Sequence, residues 1–240
     1  MPSRRRKLRS ERDTAAIVVG AGAGRRLDRK GDKAFTVLGG KPLLFYCLKA
    51  LEVSPDIERV VVVTRKSSLK KCLLLVKRAG FRKVEAIVAG GRRRQDSVLK
   101  GLRFAGESKF ILVHDAARPF LNERLIARTV AACRRTGAAI AAVPVSDTVK
   151  KVAGGSIERT IPRQGLWLAQ TPQVFRREMI QKAFSRWPPD RKATDDAAMV
   201  RYTGRRVVVV EGDPFNIKIT FASDLALAES VLRQRKRSWE

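Results

Sequence analysis

Histidine occurs once in this 240-residue chain, as His114, and cysteine three times. Cys47, Cys72 and Cys133 are an odd number at wide spacing, with no C-x-x-C pair and no Cys/His cluster. A disulfide framework and a zinc site are therefore not expected, and a reducing compartment fits. Aromatic residues make up only 6% of the chain. That scarcity, with no RNA-binding signature, argues against a base-stacking nucleic-acid module. No apolar run approaches the roughly 20 residues that cross a bilayer. The basic N-terminus lacks the apolar segment of a secretory leader, so a cytoplasmic location is expected. Internal repeats are absent, and low complexity is confined to the basic ends.

Acidic residues are also scarce: 23 Asp and Glu face 51 Lys and Arg, a formal net charge of +28. Residues 1–13 hold six basic and two acidic side chains, so this stretch, read as a disordered basic arm, supplies only +4. The remainder is spread along the chain, as in Arg92-Arg93-Arg94 and Arg233 to Arg237. Such a field favours anions and phosphorylated substrates. It also favours non-specific nucleic-acid binding, and a plain solvated basic surface accounts for it equally. Charge alone does not decide function.

With 44% hydrophobic and 31% charged residues, the rest of the chain (14–240) reads as one globular domain with a full core. Strands and helices alternate. Ala15–Gly20, Arg59–Thr64, Val84–Val88, Phe110–Val113 and Ala138–Val143 are apolar, largely β-branched or alanine-rich runs. Between them the pattern predicts helices over Pro42–Val53, with Pro42 in the first turn, and over Ser67–Ala79, with Ser67 as N-cap and Gly80 as the stop. Further helices are predicted over Asp96–Ala105 and Asn122–Thr136. This β/α alternation predicts an α/β, doubly wound, mostly parallel sheet. Residues 146–168 break the pattern, with Gly154-Gly155 as a hairpin tip, and read as an inserted β-arm serving as a lid or dimer contact. Helices near Arg176–Phe184 and Thr194–Tyr202, a strand Val207–Val210 and a last helix from Ser223 complete the expected order.

The first strand runs into Gly20-Ala21-Gly22-Ala23-Gly24-Arg25-Arg26, with Lys33 close behind. No Gly-Lys-Ser/Thr follows, so this is not a Walker A loop. The glycine spacing also misses the dinucleotide fingerprint, and Thr64 stands where a ribose-binding acid would end the second strand. What is left is a turn whose backbone can approach phosphate oxygens, flanked by cations. Other unusual polar residues fall at the carboxyl ends of later strands, where ligands bind in parallel sheets. These are Gly90 to Ser97, His114 to Pro119, and Val145 to Thr148.

Each cluster admits a structural reading as well. Asp115 at a strand end suits Mg²⁺ beside phosphates, or else pairs with Arg118 or caps a turn. His114 reads as structural. Ser97 and Gly90-Gly91 read a base, or form a helix N-terminus with Asp96 or Ser97 as cap. Arg92–Arg94 fits a solvated face, and Arg163 and Lys218 either clamp a second phosphate or lie on the surface.

In combination the motifs are specific. They are Gly22-Ala23-Gly24-Arg25-Arg26-Leu27, Gly90-Gly91 leading to Arg94-Gln95-Asp96-Ser97-Val98, and Val113-His114-Asp115-Ala116-Ala117-Arg118-Pro119. Further along come Pro144-Val145-Ser146-Asp147-Thr148-Val149-Lys150, Thr171-Pro172-Gln173-Val174-Phe175, Thr194-Asp195-Asp196 and Asn216-Ile217-Lys218-Ile219-Thr220. From about Ala15 to Leu232 the sequence resembles the 2-C-methyl-D-erythritol 4-phosphate cytidylyltransferase family of the non-mevalonate isoprenoid pathway.

The resemblance implies a Rossmann-like nucleotidyltransferase fold, CTP and Mg²⁺, and a homodimer joined through the arm. It implies that Arg26 and Lys33 stabilise the transition state, and that Arg163 and Lys218 act beside them. Ala21, Gly22, Ala23, Gly24, Gly91, Ser97 and Ala116 would hold the nucleotide, and Asp115 the metal. Thr148, Arg163, Thr194 and Lys218 would hold the methylerythritol phosphate, with Arg163 reaching in from the partner subunit. The implied chemistry is in-line attack of the acceptor phosphate on CTP without a covalent enzyme intermediate. Four positions depart from the family pattern: Gly20 begins a turn that usually starts Ala-Ala-Gly, Asp32 precedes Lys33, Pro162 precedes Arg163, and Phe215 precedes Asn216. Rival readings are a cytidylyltransferase for another polyol phosphate such as ribitol 5-phosphate, a basic nucleic-acid-binding protein, and a catalytically silent regulatory homologue.

Overall fold

Four successive valines, Val60–Val63, are buried on both faces of one strand. At roughly 1.5–3 kcal/mol for each such side chain removed from water, this run fixes a sheet covered on both sides. The computed structural model, which describes residues 13–22 and 32–237, shows that sheet. In chain order the elements are β1 (Thr14–Val19), the short pair β2 (Val37–Leu38) and β3 (Lys41–Pro42), α1 (Leu43–Val53), β4 (Ile57–Thr64), α2 (Leu69–Ala79) and β5 (Val84–Ala89). Next come α3 (Arg94–Leu102), β6 (Phe110–Asp115), α4 (Glu123–Thr136), β7 (Ala138–Pro144), and a hairpin of β8 (Val149–Ala153) and β9 (Ser156–Ile161). The chain closes with β10 (Trp167–Arg176), α5 (Arg177–Arg186), α6 (Asp196–Tyr202), β11 (Val208–Glu211) and α7 (Ala222–Arg237).

Seven strands form one sheet in the order β11-β7-β10-β6-β1-β4-β5. All neighbouring pairs are parallel except those of β10, which runs antiparallel to β6 and β7. From β1 the chain moves outward to β4 and β5, then returns to place β6 on the other side of β1. The crevice beyond the ends of β1 and β6 is thus the point where strand order reverses, and such a point is where open α/β sheets bind ligands.

Side-chain alternation divides the core into two layers. Ala16, Val18, Val62 and Leu112 face α1, α2 and α4 through Leu48, Cys72 and Ile126. Ala15, Ile17, Val63 and Val113 face α3, α5 and α6 through Val98, Ile180 and Met199. Within α3, Gly101 lies directly on the sheet. A Cβ there would stand 2.6 Å from Ile17 Cγ2 and 2.9 Å from Val63 Cγ2. Both neighbours are β-branched and stiff. Gly101→Ala is therefore expected to lower stability by about 1–3 kcal/mol despite alanine's better helix propensity. A urea unfolding midpoint at or above that of the parent would show that the helix lifts freely.

Several sequence expectations need correction. The chain between the arm and α5 is a ten-residue strand, β10, that the sequence pattern did not reveal. Gln170 to Phe175 is buried throughout, so no polar-apolar alternation marks it. Pro172, ordinarily a sign against a central strand, falls where the register shifts between Ala169 and Gln173. Ser67 does not cap α2: a 3-10 turn, Lys66–Ser68, precedes the helix, and its Ser68 N–H to Arg65 carbonyl bond of 2.9 Å does the initiating. Pro42 is the N-cap of α1 rather than a residue of its first turn. The helix α3 begins at Arg94, two residues before Asp96, because the Asp96 carboxylate reaches back to accept the Arg93 N–H at 3.0 Å. The stops at Gly80 and Gly137 are as glycine chemistry requires, with φ of +68° and +88°.

The inserted arm is a hairpin. Its tip glycines, Gly154 and Gly155, both have positive φ, 57° and 81°, as a two-residue turn between twisted strands demands. Among the described residues no helix is long and apolar enough to cross a membrane.

Candidate active site

Small residues bring three loops together at the reversal point. A Cβ on Gly20 would lie 3.0 Å from Ala34 Cβ and 3.2 Å from Ala116 Cβ. One on Gly90 would lie 2.3 Å from Ala21 Cβ and 2.9 Å from Ser97 Oγ. Backbone bonds lock the same contact: Gly20 N–H donates to the Val63 carbonyl at 2.7 Å, and Ala116 N–H to the Val19 carbonyl at 3.0 Å. The Ser97 hydroxyl accepts the Gly91 N–H at 3.0 Å and donates to the Arg93 carbonyl at 3.2 Å. Ser97, inside α3, therefore ties the Gly91 turn to the start of its own helix.

A cavity of about 290 Å³ opens between these loops. Ala21, Gly22, Gly91 and Ser97 form one wall, and Ala116 and Ala117 the floor. Among the described residues that line it, Lys33, Arg92, Arg93, Arg94 and Lys218 bring positive charge, against the single carboxylate of Asp115.

The charges form a chain. Asp115 Oδ2 accepts from Lys218 Nζ at 2.6 Å and Oδ1 from Arg94 Nε at 3.1 Å. Arg94 Nη1 then donates to Asp196 Oδ2 at 2.7 Å. Burial pushes the Asp115 carboxyl up, but Arg94 and Lys218 outweigh it and hold the group well below the usual carboxylate range. Asp196 is deeper still, and burial raises it despite Arg94.

Behind Asp115 the tautomer of His114 can be assigned. The Arg118 carbonyl, 3.0 Å from Nε2, can only accept, so His114 carries its proton on Nε2 and donates there. Nδ1 of the neutral ring then accepts from the Thr171 hydroxyl at 3.0 Å, while Thr171 Oγ1 accepts the Asp115 N–H at 3.0 Å. Burial brings its pKa down to about 4, so the ring is neutral with both nitrogens engaged. The three cysteines are equally unavailable for chemistry. All are buried and free, and burial pushes the thiols of Cys72 and Cys133 up to about 12.

A sequence profile of the family "IspD: 2-C-methyl-D-erythritol 4-phosphate cytidylyltransferase" matches residues 14–234. The chain belongs to this family. A 2-C-methyl-D-erythritol 4-phosphate cytidylyltransferase of Geobacter metallireducens is 42% identical over 226 residues, 92% of this chain and 97% of that one. The crystal structure of 4-diphosphocytidyl-2C-methyl-D-erythritol synthase from Anaerococcus prevotii superposes with a TM-score of 0.80 at 28% identity, covering 93% of this chain and 99% of that one. That of the Thermus thermophilus cytidylyltransferase gives 0.76 at 33% identity, covering 91% and 98%.

The fold gathers Ala21, Gly22, Lys33, Gly91, Ser97, Asp115, Ala116 and Lys218 around one cavity. Ala23, Gly24, Arg25 and Arg26 lie outside the described residues. Thr148, Arg163 and Thr194 are exposed and do not line the cavity. Arg163 donates to the Ser146 carbonyl at the base of the arm, the loop that carries Thr148. Asp115 pairs with Arg94 and Lys218, not with Arg118. Arg118 is buried and turned away, donating to the carbonyls of Asn216 at 2.7 Å and Ala169 at 3.3 Å.

Arg94 and Asp196 are the site members that sequence reasoning passed over. Arg94 had the look of a solvated charge run; it stands in the first turn of α3 between the carboxylates of Asp115 and Asp196, a placement that no local pattern marks. Two of the departures from the family pattern have structural accounts. Asp32 Oδ1 accepts the Ala34 N–H at 3.2 Å, capping the 3-10 turn that carries Lys33. Phe215 is exposed, and its N–H donates to Asp213 Oδ1 at 2.8 Å, which holds the loop leading to Lys218.

Proposed function

We propose that this chain transfers CMP from CTP to 2-C-methyl-D-erythritol 4-phosphate, giving 4-diphosphocytidyl-2-C-methyl-D-erythritol and pyrophosphate. The carrying observation is the cavity at the strand-order reversal, lined by glycine-rich backbone, by Lys33, and by Asp115 with Arg94 and Lys218 on its carboxylate. An oxygen of the acceptor phosphate attacks the α-phosphorus of CTP. A new P–O bond forms as the bond to the pyrophosphate oxygen breaks. The nucleophile is already an anion, so no general base is needed. This agrees with a buried neutral histidine and three inert thiols.

The protein's task is then positioning and charge neutralisation. Ala21, Gly22, Ala23, Gly24, Gly91, Ser97 and Ala116 hold the nucleotide, and Arg26 and Lys33 take the charge that builds on the phosphates. Thr148, Arg163, Thr194 and Lys218 hold the acceptor. Lys218 rests on Asp115 with its side chain 44% exposed, so an entering phosphate competes with Asp115 for this cation. Asp115 fits Mg²⁺, which takes one or two carboxylates and completes its shell with phosphate and water. No group of three or more metal-ligating side chains exists among the described residues. Mg²⁺ held there would neutralise phosphate charge.

The arm completes the reading. Val152, Ile157, Trp167 and Leu168 are exposed on or beside it, Ile157 by 65%, and a second copy of the chain is the partner such a face suits. In that dimer Arg163 serves the neighbouring site. Ile157→Glu is expected to give a monomer in sedimentation velocity. Turnover should fall roughly tenfold to a hundredfold, the worth of a lost charge-assisted contact. A wild-type monomer with full turnover would remove the arm from the site. The reducing cytoplasm that suits three free cysteines is the location that goes with this reading.

The deciding assay is pyrophosphate release with CTP, Mg²⁺ and methylerythritol 4-phosphate, run beside ribitol 5-phosphate. Turnover with the first alone is expected. Turnover with the second alone would keep the chemistry and replace the acceptor, and silence in both would overturn the reading.

A further inference from the structure

Three consecutive residues, Arg93, Arg94 and Gln95, all reach one distant segment, Pro189 to Asp196. Arg93 donates to the Pro189 carbonyl. Arg94 pairs with Asp196 at 2.7 Å. Gln95 donates to the Arg191 carbonyl at 3.0 Å and accepts the Ala193 N–H at 2.7 Å. Gln95 is only 5% exposed, so these two bonds are made where water does not compete. The same Arg191 carbonyl also accepts from Trp187 Nε1 at 2.8 Å, and the Arg191 guanidinium lies over the Trp187 ring at 4.7 Å.

The placement of these bonds matters. Gly91 and Ser97, which wall the cavity, bracket the three residues in sequence. Thr194 is bracketed on its side by Ala193, held by Gln95, and by Asp196, held by Arg94. A short stretch at the start of α3 therefore belongs to two places at once, the nucleotide wall and the loop bearing Thr194.

We propose that Gln95 and Arg94 are positioning residues that couple the nucleotide half of the site to the acceptor half by holding the Thr194 loop. The inference rests on the cytidylyltransferase reading above. Because Thr194 serves the acceptor and not the nucleotide, loosening its loop acts on one substrate.

Gln95→Met removes both bonds at nearly constant volume, and Gln95→Glu keeps the one from Ala193. With two hydrogen bonds at stake, the KM for methylerythritol phosphate is expected to rise about tenfold in Gln95→Met. The KM for CTP should stay within about twofold, and Gln95→Glu should fall between parent and Gln95→Met. An equal rise in both KM values, or no rise in either, overturns the coupling. Amide hydrogen exchange tests it without turnover. CTP is expected to slow exchange over residues 90–97 and 189–196 in the parent, and over 90–97 alone in Gln95→Met. Protection confined to 90–97 in the parent overturns the coupling while sparing the cytidylyltransferase reading. Protection of neither segment refutes that reading, and the coupling falls with it.

Discussion

Lys33→Ala is expected to lower kcat by two to three orders of magnitude, on the order of 3–4 kcal/mol, the loss found when one preorganised donor to developing charge is removed. Lys33 lines the cavity from the first residue of a 3-10 turn. Its backbone is therefore fixed while its ammonium can reach an oxygen. Its ammonium donates to Thr220 Oγ1 at 3.5 Å, and Asp32 Oδ1 accepts the Ala34 N–H of the turn. The KM for CTP should move less than kcat, since the charge that Lys33 meets grows as the leaving group departs. The unfolding midpoint should hardly change, because the lysine is only partly buried. Steady-state pyrophosphate release separates these outcomes. Unchanged kcat would remove Lys33 from the machinery.

The parts of the fold that could be read from sequence are those where one physical rule acts alone. A run such as Val60–Val63 admits little but a doubly covered strand. Glycines 80 and 137 mark helix ends because only a left-handed cap suits them. β10 stayed hidden because its burial is satisfied by polar groups. Gln173 Nε2 donates to Asp195 Oδ2 at 2.9 Å and its Oε1 accepts the Ala197 N–H at 3.1 Å. Such bonds become visible only once α6 is packed beside the strand.

The same division holds for the site. Its loops were legible, since parallel strands carry their carboxyl-end loops to one edge, and the cavity gathers the glycine turn, Gly91, Ser97, Asp115 and Lys218 there. Pairings across the fold were not. Arg94 and Asp196 are 102 positions apart, and nothing local distinguishes that arginine from Arg92, which stays exposed. Thr194 entered through resemblance alone, and within one chain Thr148, Arg163 and Thr194 stand outside the cavity wall.

Arg94→Met is expected to cost about 3–5 kcal/mol of stability, the range for stripping a buried charge of its partner. The Asp196 side chain is 1% exposed and depends on Arg94 for the ion pair at its Oδ2. Its other oxygen, Oδ1, has no hydrogen-bond partner among the described residues. Burial already raises this carboxyl, so without the guanidinium it either stays charged and unpaired or takes up a proton. Asp115 suffers less, because Lys218 still holds it at 2.6 Å. The penalty should therefore lie mostly with Asp196, and a second substitution can locate it. Adding Asp196→Asn to Arg94→Met leaves no buried charge at that position and should restore most of the lost stability. In a double-mutant cycle read by urea unfolding, the coupling should reach about 2–3 kcal/mol, at the upper end for residues in direct contact. Additive losses would mean that water reaches Asp196 when Arg94 is gone. The ion pair would then serve to aim the two carboxylates and contribute little to holding α3 against α6.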